Sequence, residues 1–241
     1  MIKALDDILS EWTSMGAGFN SQAADGDIDL ERLLLDTARL IPEMARLYIM
    51  AATWLHTHSD MIAKHRLLRL VCSELEPKHW ATLGLLLDTA QQGTHPKAFA
   101  SITKKLSPAE EPKPLFEKSC QNPKLAALAE RRASALSRKW NLWAQPIEFK
   151  DDAIRPAGWM IGRMPALRTR ADFRGDLRAS ILAALRFDEE AGQSEVRLAE
   201  CAGGSRSQIR NALHNLEMTG RIKSRKAKGA NRREVRLFQT A

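Results

Sequence analysis

Ser205, Arg206, Ser207, Gln208, Arg210, Asn211, His214 and Asn215 are interleaved with Ile209, Ala212, Leu213 and Leu216. On a helix the four apolar residues share one stripe, and the hydroxyl, guanidinium, amide and imidazole groups line the opposite face. Those groups share a chemistry: they donate to phosphate oxygens and form hydrogen bonds with the edges of bases. If the partner is a nucleic acid, Arg206 and Arg210 would meet phosphates and Gln208, Asn211 and His214 base edges, with Ser205 and Ser207 at the entrance of the helix. A second set of cations follows, Lys223, Arg225, Lys228, Arg232 and Arg233, which would be further phosphate contacts on the same expectation.

Such a helix must be held with its polar face outward, and the flanking residues can do so. Ser205 directly before it and Gln208 three residues on form a capping box for the first orphan N–H groups. Gly220 falls where a helix ends in a left-handed residue. Counted from Glu195 as position one, Ala199, Gly203 and Ile209 stand at positions five, nine and fifteen. A helix-turn-helix needs a small contact residue, a tight turn and a core apolar residue at those places. Downstream, Arg221–Arg225 alternates basic and apolar residues, and Glu234–Phe238 offers a second strand with Val235 and Leu237 on one face. The basic loop 226–233 joins them. Upstream, Asp172 is a candidate cap for a helix carrying Leu177, Ile181, Leu182 and Leu185.

From Leu167 onward this succession resembles the winged helix-turn-helix domain of bacterial transcription regulators, with loop 226–233 as the wing. The likeness covers roughly the last third of the chain. Gly204 departs from it, standing where the family has an apolar residue. The segment that begins Leu167-Arg168-x-Arg170 is also similar to the lead-in of some bacterial winged-helix regulators and sets the boundary. The resemblance implies three helices plus a β-hairpin and a sequence-specific contact with double-stranded DNA through helix 205–218 and the wing. It also implies a homodimer, because two half-sites multiply specificity. The competing reading is a helical scaffold whose winged helix mediates protein or non-specific nucleic-acid contacts.

The net charge of +8 is distributed unevenly. Residues 201–241 hold ten Lys and Arg against two Asp and Glu, whereas residues 1–150 hold 19 against 18 and residues 151–200 hold 8 against 9. A basic end on a neutral body points to a polyanion at one place. A membrane surface is the weaker alternative, because the apolar stripe of helix 205–218 lacks large aromatics. No uncharged run approaches the ~20 residues that a bilayer requires, and Asp6 and Asp7 stand where a signal peptide would be apolar. The cytoplasm is the expected compartment. Cys72, Cys120 and Cys201 are widely spaced and odd in number, which fits free thiols, with Cys201 a small buried apolar residue rather than a redox switch.

The rest of the chain reads as helix, and the fold class as mainly α. Residues 1–143 form an all-helical domain for oligomerisation or for binding a protein or small-molecule effector, 144–166 an irregular connection, and 167–241 the DNA-binding domain. Within the first domain, helices are expected around Ile2–Trp12, from Leu30, over 43–57, after Asp60 as cap, from Trp80, around Ile102, and as one long helix from Pro123 to about Trp143. The six residues Leu-Leu-Leu-Asp-Thr-Ala recur at 33–38 and 85–90, but the flanks do not repeat. Gly-rich phosphate loops, nucleophile elbows and paired His/Cys ligand motifs are missing, so neither an enzyme nor a cofactor is expected. His56, His58, His65 and His79 lack a ligand spacing; His56 and His58 diverge by about 200° on a helix.

Overall fold

The computed structural model describes residues 3–93, 97–226 and 233–238, and it is mainly helical, with 63% helix and 6% strand. In chain order the helices are α1 (Leu5–Ser14), α2 (Leu30–Leu40), α3 (Ala45–His58), α4 (Lys64–Glu74), α5 (Trp80–Ala90) and α6 (Ala100–Thr103). They continue as α7 (Glu117–Cys120), α8 (Pro123–Arg132), α9 (Ala135–Lys139), α10 (Ala157–Arg163) and α11 (Ala166–Asp172). The last three are α12 (Leu177–Phe187), α13 (Glu195–Ala202) and α14 (Arg206–Met218). Strands β1 (Lys113–Pro114) and β2 (Leu142–Trp143) pair in parallel, and β3 (Ile222–Lys226) and β4 (Arg233–Leu237) form an antiparallel pair near the C-terminus.

The chain divides into two compact units, residues 1–59 with 75–165 and residues 60–74 with 166–241. The division differs from the linear order expected from sequence: α4 leaves the N-terminal stretch and packs in the second unit. The cause is a set of long-range contacts that local patterning does not carry. Arg66, fully buried, meets Asp188 with Nε–Oδ2 at 3.0 Å and Nη2–Oδ1 at 3.2 Å and lies over the Phe187 ring. Arg69 donates to the Glu200 carbonyl, and the Lys64 amide donates to the Gly175 carbonyl.

In the first unit, α1, α2, α3 and α5 enclose a core that includes Ile8, Trp12, Leu33, Leu34, Leu47, Trp54 and Leu86. Trp12 and Trp54 meet edge to face, and their indole N–H groups donate to Thr37 and to the Met15 carbonyl, so the large rings are buried without orphan donors. Gly84 is required by close packing: a Cβ there would lie 2.3 Å from the Trp140 ring.

Four local expectations are corrected. The helix expected from Pro123 to Trp143 is broken, because Ser134 is extended and its hydroxyl caps α9 by accepting from Ser137 N–H. Residues 144–166 contain a helix, α10, which starts after Pro156 and buries Met160, whose sulfur receives Trp54 Nε1. Asp60 does not cap α4; it sits in a 3₁₀ turn and faces Lys64 across 3.7 Å. Asp172 ends α11 instead of capping α12. Arg174 and Gly175 turn the chain through positive φ, and Asp176 takes the capping role by accepting from the N–H groups of Arg178 and Ala179.

Candidate nucleic-acid interface

Helix α14 is fixed at both ends. The Ser205 hydroxyl accepts from Gln208 N–H and Gln208 Oε1 accepts from Ser205 N–H, so the capping box closes in both directions. At the other end Gly220, at φ +66, donates to Glu217 O while Arg221 N–H donates to Leu216 O. This double closure satisfies carbonyls that a helix otherwise leaves open. Between the ends, Ile209, Ala212, Leu213 and Leu216 are buried with Ile181, Ala184, Leu198, Ala202, Ile222 and Val235. The polar face therefore points outward because α12, α13 and the hairpin take up the other one.

The turn before α14 uses two consecutive left-handed residues, Gly203 at φ +78 and Gly204 at φ +94. A side chain at Gly203 would meet the His65 carbonyl at 2.9 Å, and one at Gly204 would press on the Leu177 methyls at 3.1 Å. The positive φ is what favours glycine at 204, and a larger residue would also require the Leu177 methyls to shift by a few tenths of an ångström.

The residues expected on the interface separate into groups. Arg206, Ser207, Gln208, Arg210, Asn211 and His214 are exposed along α14. Among the described residues no hydrogen bond or ion pair engages the side chains of Arg206, Asn211 or His214. Ser205, Ser207 and Gln208 are drawn together at the helix entrance, the two hydroxyls 3.0 Å apart. Gln208, expected to read a base edge, has its carbonyl oxygen held at the cap by Ser205 N–H, with its amide N–H donors outside that bond. Arg210, expected as a phosphate contact, instead places Nε 2.8 Å from Glu195 Oε2 on α13. Asn215 is turned toward the interior side and accepts from Arg178 Nη1 on α12.

On the hairpin, the register sets Ile222 opposite Leu237 and Ser224 opposite Val235, with Val235 and Ile222 buried. The alternate face carries Lys223 opposite Arg236 and Arg225 opposite Glu234, with Lys223, Arg225 and Arg236 exposed. Lys223 Nζ lies 4.5 Å from the centroid of the Phe238 ring. Arg236 was not among the residues expected from sequence, although the alternation that selected Lys223 and Arg225 extends to it. Lys228 and Arg232, with most of the loop 226–233, lie outside the described residues; Arg233 begins β4.

Two further groups bear on the surroundings. All three cysteines are free thiols. Burial, then the Asp188 carboxylate, pushes the half-buried Cys201 thiol above its ordinary pKa, with Arg197 opposing; it remains protonated and a poor nucleophile. His56 stacks on Phe149 at 4.1 Å and meets the Ala90 carbonyl, which gives it a structural place in the first unit.

Comparison with protein-family models, with curated proteins and with solved structures finds no match to this chain.

Proposed function

We propose that the second unit is a winged helix-turn-helix that binds double-stranded DNA and that the protein is a transcriptional regulator. The observation that carries this reading is the division of α14: one stripe is buried in the core, and the other face is an exposed run of Arg206, Ser207, Arg210, Asn211 and His214. A polar face of that composition beside a hairpin exposing Lys223, Arg225 and Arg236 matches what a duplex offers, phosphates at the edge and hydrogen-bonding groups in the groove. The charge distribution supports it, because the excess of +8 resides in residues 201–241. In this reading the protein acts as a homodimer on two half-sites, and the first unit supplies dimerisation or effector binding.

Met218 favours a second reading. It is 73% exposed at the C-terminal end of α14, a contact point available to a partner if the unit binds protein instead. The two readings part in a mobility-shift experiment with the full chain, a promoter duplex from its own operon and excess competitor DNA at near-physiological salt. A retained, sequence-dependent complex supports the regulator. Failure to bind any duplex leaves the protein-binding surface as the better account.

A further inference from the structure

Arg210 is the fifth residue of α14 and is 66% exposed, yet it is not a free cation. Its Nε donates to Glu195 Oε2 at 2.8 Å, and Glu195, in the first turn of α13, is only 18% exposed. A carboxylate beside a surface meant for DNA is unfavourable in itself, since it repels phosphates. In the first turn of α13 it complements the helix dipole, and it also acts on the arginine.

Two consequences follow from the pairing. The Arg210–Glu195 pair carries no net charge, so it is a poor phosphate anchor: neutralising phosphates and releasing their counterions requires unspent positive charge. The pair does, however, restrain a long side chain that would otherwise lose rotamer freedom on binding. With Nε committed, the Nη1 and Nη2 groups form no hydrogen bond among the described residues. They can make the paired donation that guanine accepts at O6 and N7. The early part of the second helix in a helix-turn-helix is also where base edges are contacted.

We propose that Glu195 is a positioning residue that presents the Nη fork of Arg210 to a guanine, making Arg210 a specificity determinant rather than a phosphate contact. This rests on the DNA-binding reading and refines it. Arg206, with no carboxylate partner among the described residues, keeps the phosphate role, as do Lys223 and Arg225.

The test is selection of bound sequences from a randomised duplex pool by the full chain and by Arg210→Ala, Glu195→Ala, Glu195→Gln and the double variant Arg210→Ala/Glu195→Ala. The expected result is a guanine preference at one position per half-site in the wild type, reduced about ten-fold or more in Arg210→Ala and in Glu195→Ala. The double variant should lose no more of the guanine preference than Arg210→Ala, because Glu195 acts on that preference through Arg210. Glu195→Gln keeps an oxygen that can accept from Nε and should retain part of the preference; it also serves if Glu195→Ala fails to fold. The salt dependence of Arg210→Ala should stay within about half a unit of the wild-type slope, whereas a lost phosphate contact would flatten it by about 0.9. A wild type that binds selectively while both Glu195 variants keep its guanine preference overturns the inference and leaves the DNA-binding reading intact. A wild type that binds no duplex overturns both.

Discussion

Buried charged and titratable side chains away from the polar face carry their own energetic consequences. Arg66 is fully buried and Asp188 meets it with two oxygens, so removing the carboxylate takes a charge-assisted contact away where water cannot replace it. Asp188→Ala is expected to lower the unfolding free energy by about 3 kcal/mol or more, read from urea denaturation, whereas replacing both members by apolar residues of similar volume should cost far less. His58 gives a pH-dependent counterpart in the first unit. Its ring meets Trp54 edge to face, its Nε2 has no partner among the described residues, and burial holds its pKa below 6.5 against a hydrogen bond to the Arg155 backbone. Because the folded value is the lower one, the unfolded chain takes up the proton first. Stability is then undiminished above about pH 6.5 and falls as the pH drops below it, by up to ~1.4 kcal/mol per pH unit. His58→Gln should be less sensitive to acid over that range, seen as a shallower fall in urea midpoint; an unchanged pH profile would show that His58 does not titrate between the two states.

At the scale of elements, α14 is defined by its caps. Ser205→Ala removes the acceptor for Gln208 N–H and should cost about 1 kcal/mol, and Gly220→Ala should cost a similar amount because φ is +66 there. Both are expected to lower the midpoint of thermal unfolding; Gly220→Ala leaves the polar face chemically intact, whereas Ser205→Ala also removes one hydroxyl at its entrance. These devices were legible in the sequence, since Ser-x-x-Gln before an apolar stripe and glycine after it are local signals. So was the hairpin, whose alternation placed Val235 and Leu237 on one face. Tertiary choices were less legible. Asp172 and Asp176 are equally plausible caps by type, and the turn through Arg174 and Gly175 decides between them. The break before α9 depends on Ser134, which looks like an ordinary helical residue until its hydroxyl turns to cap Ser137. Gln208 satisfied two readings at once, and the cap took its oxygen.

At the scale of the molecule, the second unit is discontinuous in sequence, built from residues 60–74 and 166–241. Nothing local announces this: Arg66 and Asp188 are 122 residues apart, and a helix with Lys64, Arg66 and Arg69 looks like a solvated face. A fragment of residues 166–241 alone should lack a cooperative thermal transition by circular dichroism, because it has lost α4 and the partner of Asp188. A sharp transition in that fragment would contradict the role given to α4. The candidate interface was legible for a different reason. Charge and polarity on one helix face follow from composition and spacing, whereas the Glu195–Arg210 pair joins two helices and could be found only once they were packed.

On the proposed function, this unit lays a polar helix face and a basic hairpin along a nucleic-acid duplex. That function is tested most directly by the affinity of the full chain for duplex DNA as a function of salt. If Arg206, Lys223, Arg225 and the basic loop meet phosphates as proposed, log affinity against log salt should be a straight line with a slope of about −4 or steeper. The Lys223→Ala/Arg225→Ala variant should flatten that slope by roughly two units. Binding that is indifferent to salt, or a slope that the variant leaves unchanged, would contradict the account.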